Sequence, residues 1–364
     1  MIDVHVHLRD GIQAEKETIV HGMHTAALCG ITAVFDMPNT APALTDRTAV
    51  MERLKLGEAS ARQVGNAMGG ELFYGVYGGV TDDPTQLEAM VSIAEQNFPL
   101  VVGLKMFAGH STGEMGLVTY ARQRSVYESL ALLGYTGVLA VHCEKEQLMR
   151  PDLWDPDHPE SHCLARPAEA EIASVADQIA AVRDTGFQGA LHICHISTAG
   201  ALDLVRQARQ EGLRITCGAT AHHALLDDSV ASTPHNLCRM NPPLRSVEDR
   251  DAIFHGLCDG SVDWIESDHA PHTLADKMQG ASGVPGFAGY ALLVCALRQA
   301  QVSEAHLRRL CGERASRIYG VSLPVNVPSS SFLESALSGV RNAYPWDPFK
   351  SLDPRKLEVF PRGS

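Results

Sequence analysis

Short apolar runs alternate with amphipathic stretches eight times along this chain, the spacing that builds parallel β/α units. The runs that read as strands are Ile2 to Leu8, Ile31 to Met37, Glu71 to Tyr77, Leu100 to Phe107, Gly137 to Cys143, Gly189 to Ile196, Leu213 to Thr220 and Ser261 to Asp268. Several are apolar and β-branched on consecutive residues, as strands covered on both faces are. Between them, apolar positions recur at helical spacing over Lys16 to Leu28, Asp83 to Glu95, Ala168 to Arg183, Ala199 to Gln210 and Val247 to Leu257. The predicted fold is α/β, a (β/α)8 TIM-like barrel over residues 1–322. A doubly wound open sheet is the alternative, and no Gly-x-Gly-x-x-Gly follows the first strand to favour it. After residue 322 the pattern changes. Pro-Ser-Ser-Ser at 328–331 and prolines at 345, 348, 354 and 361 mark residues 323–364 as a C-terminal extension, and its last residues, Pro-Arg-Gly-Ser, resemble the remnant of a cleavable tag.

Charge narrows the partners. With 30 basic and 43 acidic residues the net charge is -13, which argues against a surface that tracks phosphates and leaves small molecules as the expected ligands. The nine cysteines are scattered and form no Cys-x-x-Cys pair, which suits a reducing compartment better than a disulfide framework. Residues 1–9 lack the basic and apolar regions of a signal peptide, and no run approaches about 20 apolar residues. A cytoplasmic protein without membrane or nucleic-acid contacts is expected.

The chemistry-bearing residues cluster at predicted strand ends. His5-Val6-His7 alternates on a strand, so both imidazoles face one way and make half of a metal site. Asn39 follows strand two, Lys105 lies near the end of strand four, His142 ends strand five, His195 strand six and Asp268 strand eight. In a barrel these ends meet on one rim, where active sites are built. A lone strand-end histidine is more often a structural residue; the conjunction reverses that expectation. Lys105, in the apolar run Gly-Leu-Lys-Met-Phe, is either a lysine reaching to the rim or something less usual. A buried ammonium beside metal ions is driven towards its neutral amine, and a neutral amine can take up carbon dioxide to give an anionic carbamate that bridges two metals. Two metals about 3.5–4 Å apart would share a hydroxide nucleophile and polarise a carbonyl oxygen. Asp268, as ligand and general acid/base, would pass the proton to a leaving nitrogen, giving amide hydrolysis without a covalent intermediate. No Gly-x-Ser-x-Gly elbow supports a serine mechanism, and no cysteine stands out as a nucleophile.

Eight stretches, in order, carry a resemblance: 3–9 (Asp-Val-His-Val-His-Leu-Arg), 36–40 (Asp-Met-Pro-Asn-Thr), 103–107 (Gly-Leu-Lys-Met-Phe), 141–144 (Val-His-Cys-Glu), 192–197 (His-Ile-Cys-His-Ile-Ser), 241–245 (Asn-Pro-Pro-Leu-Arg), 267–273 (Ser-Asp-His-Ala-Pro-His-Thr) and 283–287 (Gly-Val-Pro-Gly-Phe). The set resembles the amidohydrolase superfamily and, within it, the dihydroorotases. The resemblance implies one zinc on His5, His7 and Asp268, a second on His142 and His195, and carbamylated Lys105 between them. It also implies reversible conversion of L-dihydroorotate to N-carbamoyl-L-aspartate in pyrimidine biosynthesis. Arg9 offers a planar fork for a carboxylate, with Asn39 and His272 as further donors, and this clamp suits an acidic ligand better than a neutral hydantoin. Asn241 joins them as a substrate-binding candidate. An ion pair with Asp10 is the alternative role for Arg9. The segment Gly109 to Glu114 is similar to the mobile loop of the family, with Ser111 and Thr112 as candidate contacts.

The chain departs from the pattern in places. Asp10 is followed by Gly11-Ile12 where many relatives have Pro-Gly. Cys217-Gly218 lacks the acid that many relatives carry, so a third metal is not expected, and His222-His223 read as structural. The β-sandwich that many relatives build from their termini is expected to be reduced or absent. Two other readings compete with dihydroorotate hydrolysis: another cyclic-amide hydrolase, such as a hydantoinase, dihydropyrimidinase or allantoinase, and a non-catalytic homologue that assembles with another pyrimidine enzyme. The expected partners are the small-molecule substrate and further copies in a homo-oligomer.

Overall fold

The computed structural model describes residues 1–111, 113 and 115–357. Eight parallel strands follow in chain order: β1 Ile2–Val6, β2 Ala33–Asp36, β3 Phe73–Gly79, β4 Val101–Ala108, β5 Val138–Cys143, β6 Ala190–Ile193, β7 Ile215–Thr220 and β8 Trp264–Glu266. A two-residue strand, Gly116–Leu117, pairs with the end of β4. The sheet comes round on itself: Val6 bridges His269 in parallel, and the His7 amide donates to the His269 carbonyl at 2.7 Å. This nearly closed (β/α)8 barrel is the predicted fold class, reached because each strand is followed by a helix that returns the chain to the same end.

Strands and helices end where side chains take over the backbone hydrogen bonds. Strand one was expected to run to Leu8, but the Leu8 amide donates to Asp36 Oδ1, at 2.9 Å, rather than to the ladder. Strand eight was expected over 261–268 and spans 264–266, since the Ser267 amide turns to Asp3 Oδ1. Helix α1, Ile19–Leu28, starts three residues later than the periodicity suggests because Thr18 caps it, accepting from the His21 amide.

The outer ring consists of α1, α2 (Arg47–Met68), α3 (Pro84–Gln96), α4 (Tyr120–Leu132), α5 (Ala168–Thr185), α6 (Ala199–Gln210), α7 (Val247–Asp259) and α8 (Phe287–Gln299), with short helical turns in the rim loops. The main core lies between sheet and helices. A second apolar cluster, including Val4, Phe35, Tyr77 and Trp264, fills the barrel interior, with Tyr319 bonded to the Tyr77 hydroxyl at 2.5 Å. Beyond residue 322 a further helix, α9 (Ser330–Asn342), packs on α8 and α1 through buried Leu333, Leu337 and Val340. Among the described residues no helix is long and apolar enough to cross a membrane. The tag-like 361–364 lies outside the described residues.

Candidate metal centre

His5 lies on β1 and His7 directly follows its end, two residues on, and both are buried. Their remote ring nitrogens are held by acceptors: His5 Nδ1 faces Glu266 Oε2 at 3.1 Å and His7 Nδ1 faces Asn39 Oδ1 at 2.7 Å. Both Nε2 atoms are left pointing at each other, 3.3 Å apart, with Asp268 Oδ1 at 3.4 Å from His5 and 3.1 Å from His7. Across the rim, His142 Nδ1 and His195 Nε2 approach to 3.1 Å.

Two ring nitrogens and a carboxylate oxygen thus converge on one point. A zinc ion with bonds of about 2.0–2.1 Å sets its tetrahedral ligands roughly 3.3 Å apart, which is the spacing of the His5, His7 and Asp268 triangle. Burial holds His7 and His142 below the usual imidazole range and His195 well below it, which keeps the lone pairs that metal binding requires; burial lowers His5 too, but Cys194 and Glu266 beside it outweigh that and bring it up to about 10, so a metal there would displace a proton. The buried His195 Nδ1 has no hydrogen-bond partner, and His142 Nε2 sits 3.0 Å from Glu144 Oε2 but out of hydrogen-bonding alignment. Two of the five residues sit in left-handed backbone, His195 at φ 37° and Asp268 at φ 45°. Such conformations cost of order 1–3 kcal/mol for a non-glycine residue and gather at functional sites. The donor set fits a metal.

Lys105 is fully buried on β4. Its Nζ lies 3.0 Å from Cys194 Sγ and 4.9 Å from the Phe107 ring centroid, and among the described residues no carboxylate pairs with it. Lys105, the four histidines and Asp268 all line one small cavity of about 20 Å³, together with Asn241 and Ser111.

The other expected site residues are distributed around that cavity. Asn241 Oδ1 also accepts from His162 Nε2 at 3.0 Å. Asn39 serves His7 directly. Arg9 is buried, with Nε 3.4 Å from the Pro271 carbonyl, and does not pair with Asp10, whose carboxylate instead accepts from the Gly11 and Ile19 amides. His272 donates from Nε2 to the Ser282 carbonyl at 3.1 Å. Arg9, Asn39 and His272 are not among the cavity-lining residues. Thr112 lies outside the described residues. His223 is bonded to Thr220 and to the Pro242 carbonyl, whereas neither ring nitrogen of buried His222 has a partner.

Sequence reasoning passed over three neighbours. Glu266, the last residue of β8, braces His5, a contact that only closure of the barrel brings about. Cys194, beside His195, forms with His5 and Glu266 a second group of donors within 4.8 Å of one another. Glu144, next to Cys143, takes a bidentate contact from Arg166, which only the fold brings near.

A dihydroorotase of Lactiplantibacillus plantarum is 32% identical to this chain over 335 residues, covering 88% of the chain and 72% of that protein. The chain belongs to the dihydroorotase family. A dihydroorotase of Pediococcus pentosaceus is 32% identical over 281 residues, where the chain spans 61% of the relative's length. No family model matches. Among solved structures, an L-hydantoinase (dihydropyrimidinase) from Arthrobacter aurescens superposes with a TM-score of 0.75 at 21% identity, over 90% of this chain and 72% of that one. That likeness is one of fold: the chain shares its barrel with this hydantoinase.

Proposed function

We propose that the chain hydrolyses the cyclic amide of L-dihydroorotate, reversibly, to N-carbamoyl-L-aspartate at a centre for two zinc ions. The observation that carries the reading is the triangle of His5, His7 and Asp268, with edges of 3.1–3.4 Å, opposite the His142–His195 pair in the same cavity. Membership of the dihydroorotase family supplies the substrate. Bound there, two metal ions would polarise the ring carbonyl and provide a hydrolytic nucleophile at neutral pH.

The protein's own part follows from the residues. His5, His7 and Asp268 would hold one ion and His142 and His195 the other, with Lys105, as its carbamate, a further ligand. Carbamylation would answer the burial of this side chain, whose ammonium otherwise has Cys194 Sγ and no carboxylate as its partner among the described residues. Asp268 takes a proton from the attacking water and returns it to the ring nitrogen as the C–N bond breaks. Its carboxyl is held well below the usual range because the contacts with His7 and His5 outweigh the effect of burial, so it starts as a base. Arg9 grips the ring carboxylate, with Asn39 and His272 behind the site and Asn241 and Ser111 in its wall; Thr112 completes the loop candidates. A space of about 20 Å³ admits a water molecule, not a six-membered ring, so substrate entry requires part of that wall to withdraw. Residues 1–322 form the catalytic unit, and the C-terminal extension, 323–364, braces it through α9. The reading puts the activity in cytoplasmic pyrimidine biosynthesis and the chain in a homo-oligomer.

The test is turnover of L-dihydroorotate by purified protein, with and without added zinc, beside allantoin and a neutral dihydropyrimidine, with bound metal counted. Zinc-dependent turnover of dihydroorotate alone is expected. Turnover of a neutral ring only would move the chain to a sister activity.

A further inference from the structure

Glu266 lies two residues before Asp268, has no solvent exposure, and accepts from four donors. Its Oε2 takes His5 Nδ1 at 3.1 Å and the His195 amide at 3.0 Å. Its Oε1 takes His192 Nε2 at 2.5 Å and Trp264 Nε1 at 3.0 Å. One carboxylate oxygen therefore touches a residue of each half of the centre: the ring of His5 from the triangle, and the backbone of His195 from the opposite pair. Accepting the His5 Nδ1 proton fixes the tautomer in which Nε2 is free to face His7 and Asp268. Holding the His195 amide anchors that residue in its left-handed backbone, which aims its ring at His142.

The neighbouring strand leaves room for this arrangement. A Cβ on Gly218 of β7 would stand 1.9 Å from Glu266 Oε1 and 2.3 Å from its Cδ. No side chain at 218 is compatible with the carboxylate where it stands. Gly218 is glycine for close approach and not for backbone conformation, since its φ is not positive.

We propose that Glu266 is a positioning residue that sets both halves of the metal centre at once, delivered from β8 into space that Gly218 vacates on β7. The inference rests on the reading of these residues as a zinc site. Glu266→Gln is the sharp probe, because it keeps the shape but offers one acceptor oxygen where two are needed. Its amide nitrogen must confront either the His5 and His195 donors or the His192 and Trp264 donors.

The measurement is the apparent zinc affinity by competition with a chromogenic chelator, beside urea unfolding of the metal-free protein. For Glu266→Gln the expected result is a folded protein whose zinc affinity falls by about 10–100-fold, as when an outer partner of a metal-ligating histidine is lost. In the double variant Glu266→Ala/Gly218→Asp, which offers a carboxylate from β7 instead, part of that loss is recovered. A folded Glu266→Gln protein with zinc affinity within about twofold of wild type would overturn the proposal. If Glu266→Gln does not fold, the double variant decides: folded and zinc-binding supports the role, folded without zinc overturns it. Failure of both to fold makes Glu266 a structural residue and overturns it as well. Wild-type protein that binds no zinc would sink the metal reading itself, which is a separate outcome.

Discussion

Lys105 is the most enclosed side chain of the candidate site. Its Nζ is fully enclosed, with a sulfur and an aromatic ring as neighbours and no carboxylate partner among the described residues. A bare ammonium there is costly, and a carbamate bridging two cations is not. Lys105→Ala is expected to lose at least one metal and to lower turnover by more than about 100-fold, beyond what outer-shell changes cause. Metal content by mass spectrometry checks it, and a full complement with normal turnover sinks the two-metal reading. Arg9 is proposed to act on substrate and not on metal. Arg9→Lys should raise KM for dihydroorotate roughly tenfold or more, because a charge-assisted hydrogen bond is worth about 1.5–3 kcal/mol and about 1.4 kcal/mol is tenfold. Metal content should be unchanged, and an unaltered KM counts against the clamp. At this scale the grouping of the six side chains in one cavity was legible, since residue type and strand-end position put them on one rim, while their roles as ligands came from the resemblance. Glu266 was not read, because an acid within an apolar strand says nothing of its four donors until the barrel closes.

Among the elements, the strands were readable and their ends were not. Continuous apolar runs located all eight strands, but the exact ends depend on distant carboxylates such as Asp36 and Asp3 capturing the Leu8 and Ser267 amides. The C-terminal segment was the least legible part, since proline punctuation hides a helix whose partners lie on α8 and α1. Helix α9 buries Leu333 completely and Leu337 nearly so. Leu333→Ala should cost about 2–5 kcal/mol by the lost transfer energy and the cavity left behind. Urea unfolding reads this directly. A change below about 1 kcal/mol would mean that α9 is not part of the cooperative unit.

For the whole molecule, closure of the barrel explains why residues some 260 positions apart act together, and one buried cluster ties three parts of the chain behind the site. Glu17, just ahead of α1, receives His269 Nε2 at 3.1 Å from the loop after β8 and the Tyr344 hydroxyl at 2.6 Å from beyond α9. His269 itself stacks on Phe287, with ring centroids 3.9 Å apart, directly beside Asp268. Although burial pushes the Glu17 carboxyl up, His269 and the hydrogen bonds to His21, His269 and Tyr344 outweigh it and bring it from 4.5 down to about 2. A depressed carboxyl contributes stability that is fully present above its unfolded value and lost as pH falls through its folded one. The window is therefore about pH 4.5 down to 2, and the difference corresponds to about 3 kcal/mol. Glu17→Gln removes this term while nearly keeping the shape. Urea unfolding of both proteins at pH 7, 5, 4 and 3 should show wild-type stability falling the more steeply below about pH 4.5, so that the gap between the curves narrows towards low pH. The metal ligands titrate alike in both proteins and drop out of the difference. Parallel curves would mean that the cluster holds the chain by shape alone, and that the acid sensitivity of the fold lies with the metal centre and not with the weld behind it.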